Sequence, residues 1–501
     1  MNAFLPVITS FNTFLAYSYL CKFFAFLTEK DLIVQIYIST LFIMAIGVSS
    51  LILERKPQLK KRFIPIQIFL SFFYISLPFL LFSSEISLLA SIPWWISSGI
   101  LVFVLGSLSG IELPFYLDRD PRQERVLFLN YSGTLIASLI FVSIAYQSTS
   151  FQYFCLFMGI SNLLVCSFIG LKKKLKVAVY FLAFFVALAH LYLPQVNNFS
   201  RKASFLNFRI ESINDFKNLY FAVKSTPPIF HMETPYQKID FLPKSFYSSE
   251  NDDKEWGLFL NRRVQIYSDT EEIYHQTMTF LPLMYLPKRP LKVLILGGGD
   301  LGLVREFSRV PQPIAELTLV ELDPAMVKLA KEGPFLNQLH NTEYKYDLIQ
   351  DDAFSFLLEN KQTYDLILAD FPFPINFDLM KLYSQEFYLL AKKSLSEEGM
   401  LVFDYPFFTH NSRAHKEGQK IILKTLQSAG FNYQIWGQYE TFVIASPKSF
   451  PRRRSIQTFS NQIQSSVISN FVNRTSQFSY TLSGVKINSI FKPIREFHID
   501  D

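Results

Sequence analysis

The sequence predicts a multi-pass α-helical membrane domain, then a small β domain, then a doubly wound α/β domain. Three observations carry that reading. Seven apolar runs crowd the first 195 residues. Short alternating segments fill 205–290. From 291 to about 450, compact apolar strands alternate with helical patterns. The stretch 451–501 is polar, rich in Ser, Asn and Gln, and takes no assignment.

The membrane prediction rests on length and composition. A chain of 501 residues is too long for one ordinary core. Its 53 Phe gather with Leu and Ile in the first part, which sets that part apart from the rest. About 20 apolar residues cross a bilayer core as a helix. The runs are 4–27, 33–53, 63–82, 88–117, 126–146, 151–171 and 177–193. The first carries Lys22 and lacks both the basic start and the small-residue cleavage site of a signal peptide, so it is kept as a span. One such run fits a buried globular helix equally well, but seven in succession do not.

Charge gives the topology. Arg55, Lys56, Lys60, Lys61 and Arg62 form one basic loop. Arg119, Arg122 and Arg125 form the next, and Lys172, Lys173, Lys174 and Lys176 the third. These alternate loops share one side, expected to be cytoplasmic. Seven crossings would then put the C-terminal domain on the opposite face. The expected location is nevertheless the inner cell membrane with a cytoplasmic catalytic domain, the seventh run failing to cross. Arg201 and Lys202 just beyond it favour that side. A net charge of +6, clustered between apolar runs, points to a lipid bilayer as partner and not to nucleic acid. Cys21, Cys155 and Cys166 form no CxxC pair, so neither a disulfide framework nor a zinc site is expected. Glu112, in Gly110-Ile-Glu-Leu-Pro114, is either an interfacial carboxylate or a functional one.

In 205–290 the segments 238–241, 256–260 and 263–267 read as strands of a small antiparallel sheet. The strand 291–296 then runs into Gly297-Gly-Gly-Asp-Leu-Gly302, with a helical pattern over 303–310. Gly297, Gly299 and Gly302 fit GxGxxG between strand and helix, and Glu321 ends the next strand, 316–320. Such a carboxylate accepts hydrogen bonds from two ribose hydroxyls. The ligand is therefore an adenosine derivative and the domain Rossmann-like, of the methyltransferase type.

Asp300 selects among adenosine ligands. It sits where a dinucleotide would place its pyrophosphate, and at about 4 Å and an effective dielectric near 20 that like-charge pair costs roughly 4 kcal/mol. The same carboxylate attracts an ammonium or sulfonium group; the plainer reading is a solvated turn residue. Asp352 follows a strand expected over 343–349. It suits the adenine amino group or the N-cap of the helix 354–358. Asp370 ends the strand 364–369, and a further strand covers 399–403. Ligands of open α/β sheets bind at carboxyl strand ends, where Asp300, Glu321, Asp352 and Asp370 all fall.

From Thr234 to Pro447 these residues resemble the spermidine synthase family, in particular its members fused to an N-terminal membrane domain. The resemblance is carried by Thr234-Pro-Tyr-Gln237, Tyr274-His-Gln276, Gly297 to Glu306, Val320-Glu-Leu-Asp-Pro324, Asp352-Ala-Phe354, Lys381-Leu-Tyr-Ser384 and Gly110-Ile-Glu-Leu-Pro114. It implies that Gln237, Gly297, Gly299, Asp300, Glu321 and Asp352 hold decarboxylated S-adenosylmethionine as co-substrate. It implies Asp370 as the base, and Tyr236, His275 and Phe373 in the amine pocket. No metal or other cofactor is called for, and a homo-oligomer stays open. The implied activity is aminopropyl transfer to putrescine or a related amine. The family pattern departs at Phe373, where a second acid is usual. It departs again at Gln276 for a glutamate, at Asp404 for a glutamine, and around Trp436 to Phe442. Two other readings stay open: a methyltransferase using intact S-adenosylmethionine, which Asp300 disfavours, and a ligand-binding sensor or transporter.

Overall fold

A computed structural model of the protein describes residues 4–28, 31–89, 92–145, 151–206, 210, 212–247, 254–337, 344–374, 377–405, 413–459 and 461–494. The chain divides into two compact units, Met1–Ile229 with Ser245–Asn251, and Phe230–Lys244 with Asp252–Asp501.

In the first unit, mostly apolar sequence folds into helices, the short α5 and the polar α9 apart. These are α1 (Phe4–Thr28), α2 (Asp31–Arg55), α3 (Phe63–Leu89), α4 (Trp94–Ser109), α5 (Glu112–Leu117), α6 (Gln123–Ile140), α7 (Phe151–Ile169), α8 (Lys173–Leu188) and α9 (Leu193–Phe205). Among the described residues, seven helical stretches are long and apolar enough to cross a membrane. The last is longer than the predicted 177–193, because a 3-10 turn at Ala189–Tyr192 links α8 to α9. Glycines let the helices approach closely: a Cβ on Gly133 would overlap α1 at Val7 and Ser10, and one on Gly159 would overlap Ile75 of α3. A further helix, α10 (Ile213–Ser225), lies where the alternating pattern of 205–290 gave no helix. Its signals are local: Ser212 and Asp215 form a reciprocal capping box, and Leu219 and Val223 bury one face. Tyr146, the predicted end of the fifth run, lies outside the described residues.

The second unit opens with a four-stranded antiparallel sheet in the order β1 (Phe230–Glu233), β2 (Lys238–Pro243), β3 (Trp256–Leu260), β4 (Arg263–Tyr267). Asn261 and Arg262 both take positive φ, 49° and 70°, as a two-residue hairpin between twisted strands requires. Helix α11 (Glu271–Leu283) comes next, in a stretch for which the sequence predicts no helix.

The seven-stranded sheet holds β5 (Leu291–Gly297), β6 (Ile314–Glu321), β7 (Asp347–Gln350), β8 (Tyr364–Asp370), β9 (Leu395–Asp404), β10 (Asn432–Trp436) and β11 (Phe442–Ser446). Its order is β10-β11-β9-β8-β5-β6-β7. The pairs from β9 to β7 are parallel, and β11 is inserted antiparallel beside β9. Helices α12 (Gly302–Arg309) and α13 (Pro324–Glu332) follow β5 and β6. Central strands buried on both faces need continuous apolar runs. In β5, Val293 and Ile295 enter one core while Leu294 and Leu296 enter the other. Strand β7 begins at Asp347, later than the predicted 343–349, and Glu343 lies outside the described residues.

The polar tail straps this unit. Phe459, Ile463 and Val467 join one core and Leu482 the other. Buried Asn488 donates to the carbonyls of Met380 and Tyr383, and Gln276 Oε1 accepts from the Gln464 amide. A tail that took no assignment from sequence thus supplies internal hydrogen-bonding braces.

Candidate active site

The site forms at the carboxyl end of β5 and β8, where the strand order reverses, the usual ligand position in a doubly wound sheet. There Gly297 and Asp370 are Cα partners. Gly297 has φ +78°, and a Cβ on it would overlap the Asp370 carbonyl, so glycine is required twice over. A Cβ at Gly299 would press against the Glu321 carboxylate at 2.7 Å, which brings the loop onto the acid ending β6. Leu301 turns left-handed, φ 67°, and opens α12.

Asp300 is buried and accepts from the Gly302 amide at 2.9 Å. Its other oxygen faces His275 Nε2 at 3.3 Å. His275 stacks so closely on Gly302 that a Cβ there would overlap the ring. The imidazole Nδ1 donates to Glu271 at 2.6 Å, and Glu271 takes a two-pronged bond from Arg305 at 2.8 and 2.9 Å. Burial opposes charge on His275, but the Asp300 and Glu271 carboxylates outweigh it and lift its pKa to about 10. His275 is thus a cation wedged between two acids at neutral pH.

Asp370 receives a 2.6 Å hydrogen bond from the Tyr274 hydroxyl. Burial, then the Asp300 charge, push its pKa up to about 6, while His275 and Tyr274 pull it down. One ligand atom from each of His275, Asp300 and Asp370 lies within 4.8 Å of the others. Two carboxylates and the His275 imidazolium therefore share that corner.

Glu321 is pushed up to about 7 by burial, against the amides of Asp323 and Gly299 that bond to it. Asp323 caps α13 and accepts from Thr234 at 2.8 Å and from the Gln237 side chain at 3.0 Å. This ties the loop between β1 and β2 to Asp323, whose own amide donates to Glu321 Oε1 at 2.8 Å. Asp352 caps the helix Ala353–Glu359 through the Ser355 amide at 3.0 Å, and Lys381 pairs with its other oxygen at 2.9 Å. Tyr236 is half-exposed on the Thr234–Gln237 turn. Phe373 packs against the core on the β8 side.

Several polar residues had no sequence motif to mark them. Asp404, at the end of β9, is held well above the carboxylate range by burial, then by Glu440 and Asp370. Burial pushes Glu440 up to about 7. Asp404 is close enough to feel both the Glu440 and the Asp370 charge, and buried Tyr383 feels both Asp404 and Asp370. Asn470 of the tail fixes that corner: its carbonyl accepts from the amides of Gln438, Tyr439 and Glu440, and its amide donates to Thr277 and to the Glu440 carbonyl. Of these, the sequence marked Asp404 alone, as an acid where the family usually has a glutamine.

The strand order, with its inserted antiparallel strand, and the glycine loop at the switch point define the class: a Rossmann-like doubly wound domain. Residues 271–436 match the Spermine/spermidine synthase domain. A polyamine aminopropyltransferase of Leptospira interrogans is 30% identical over 403 residues, covering 72% of this chain and 74% of that protein. One from Oceanobacillus iheyensis is 30% identical over 314 residues, covering 60% and 57%. Another, from Aquifex aeolicus, is 28% identical over 346 residues, covering 66% and 63%. The chain belongs to the polyamine aminopropyltransferase family. It spans 57% and 63% of the length of the Oceanobacillus and Aquifex relatives. The crystal structure of spermidine synthase from Thermotoga maritima overlaps with a TM-score of 0.36 at 18% identity, over 52% of this chain and 80% of that one; the fold assignment rests on the strand order instead.

Proposed function

We propose that the protein moves the aminopropyl group of decarboxylated S-adenosylmethionine to putrescine or a related amine, giving spermidine and methylthioadenosine. One observation carries this reading: Asp370 stands at the switch point beside the Asp300–His275 pair, bonded by Tyr274. A primary amine is protonated at neutral pH and cannot attack. The Asp370 carboxylate orients the ammonium and accepts one proton. The freed nitrogen lone pair forms a C–N bond to the propyl carbon next to sulfur. The C–S pair leaves on sulfur, which turns the sulfonium into a neutral thioether. Asp300 attracts the donor's positive end, and Gln237, Glu321 and Asp352 hold its adenosine. Alignment of nucleophile and sulfonium supplies much of the acceleration. The acids Asp404 and Glu440 take the far ammonium of a diamine, in place of the acid missing at Phe373. Incubating purified protein with decarboxylated S-adenosylmethionine and a panel of amines, with mass spectrometry of the products, tests the reading. Absence of methylthioadenosine with every amine would refute it.

The first unit we read as membrane-spanning and the four-stranded sheet as a small β domain supplying Gln237. Outward residues of the helices support the former: Ile43, Phe128, Phe168 and Val177 are each 69–70% exposed. The catalytic unit faces the cytoplasm, where an adenosyl donor is made. A reporter fused at Asn198 should signal cytoplasmic exposure, and an outward signal would overturn that placement.

A further inference from the structure

The helical unit contains a carboxylate that aminopropyl transfer does not use. Glu112 begins α5, just after the turn at Gly110 that ends α4, and is 4% exposed. Its Oε1 accepts from Gln67 of α3 at 2.9 Å, and its Oε2 from Thr13 of α1 at 3.3 Å. Behind these donors stands a second layer. Thr13 meets the Tyr74 hydroxyl at 3.0 Å, and Asn162 of α7 donates to Gln67 Oε1 at 2.9 Å and to Ser71 at 3.1 Å. Four helices thus converge on one acid through neutral groups, and no ion pair to Glu112 occurs among the described residues.

Two further polar atoms belong to this cluster. Asn162 Oδ1 is fully buried and has no hydrogen-bond partner among the described residues, and the Tyr116 hydroxyl, one turn along α5, is fully buried with the Thr9 side chain beside it. A buried polar atom without a partner is rare in a folded core and marks a place where a functional role can be sought. The ionisable groups facing Glu112 are the hydroxyls of Tyr74 on α3 and Tyr116 on α5. Cys166 of α7 and Arg119 past the end of α5 reach Tyr116 in turn.

We propose that Glu112 is a proton-binding site in the core of the helical unit, so that this unit does more than anchor the enzyme. An uncompensated carboxylate in an apolar bundle needs a cation. A proton is the cation that needs no added volume, and α3 and α7 are packed until Gly159 meets Ile75. Uptake joins one proton from water to a carboxylate oxygen and cancels its charge; release restores it. As an acid, Glu112 becomes a donor, and the hydrogen bonds that Gln67 and Thr13 now give it must rearrange.

The proposal rests on the membrane-spanning reading, which extraction behaviour tests separately: the protein should leave membranes only with detergent, whatever Glu112 does. For the site itself, full-length protein in lipid nanodiscs is treated with dicyclohexylcarbodiimide, an apolar reagent that attacks protonated carboxyls. Peptide mass spectrometry locates the adduct. We expect modification at Glu112 that increases several-fold as pH falls, is lost in Glu112→Gln, and is unaffected by excess sodium or putrescine. No adduct at Glu112 at any pH would overturn the proposal. So would protection by sodium or by putrescine at constant pH, since the occupant would then be a metal cation or an amine.

Discussion

The Tyr274 hydroxyl donates a 2.6 Å hydrogen bond to Asp370 Oδ1, from a helix outside the glycine-loop sheet to the acid at that sheet's switch point. The bond favours the ionised carboxylate, while burial and the Asp300 charge favour the acid. The base form is the one that has lost its proton. We therefore expect kcat/KM to rise with pH through about 6. In Tyr274→Phe the rise should move to higher pH, by about one unit at most, because a bond to the charged form is gone. Asp370→Asn should lower kcat by about 100-fold or more and leave donor binding nearly unchanged. Steady-state kinetics across pH, with calorimetry of donor binding, checks all three. A fully active Asp370→Asn enzyme would remove Asp370 from the mechanism.

Asp300 should set donor choice. Intact S-adenosylmethionine carries a carboxylate that the decarboxylated form lacks, and on the proposed reading Asp300 would repel it at close range. Calorimetry should show tighter binding of the decarboxylated form, with a smaller gap in Asp300→Asn. Equal affinities in the parent protein would contradict this role.

On the proposed reading, Phe373 stands in the amine pocket in place of an acid. Phe373 offers an aromatic face, worth about 0.5–2 kcal/mol to a cation, where a lost charge-assisted hydrogen bond forfeits about 1.5–3 kcal/mol. Putrescine should be used with a high KM, and Phe373→Asp should lower that KM by several-fold. Glu440→Gln should raise it by about tenfold, with donor affinity unchanged. Micromolar saturation by putrescine, unimproved by Phe373→Asp, would place Phe373 outside the amine pocket.

Asn470→Ala tests the tail as part of the site. The change leaves three backbone donors near Glu440 without their acceptor, at a cost of about 1–3 kcal/mol or more. Thermal unfolding should come earlier. The KM for the amine should also rise more than the KM for the donor, since the loop bears Glu440. Equal changes in both would make Asn470 a purely structural brace.

By itself the sequence determined what depends on neighbours along the chain. Apolar runs marked the long helices, and alternating strands and helices marked the doubly wound sheet. Strand ends brought Asp300, Glu321, Asp352 and Asp370 to one edge, because a strand followed by GxGxxG or by a lone acid is a local pattern. Helix α11 was not legible, and neither was its Tyr274–Asp370 bond, which joins residues 96 apart in sequence. The same holds for the Glu271–Arg305 clamp on His275, for Asp323 holding Gln237, and for Asn470 reaching Glu440. Those pairings were decided only when packing excluded water. A buried polar group must find its partner wherever the fold puts one, and separation along the chain does not say where that is.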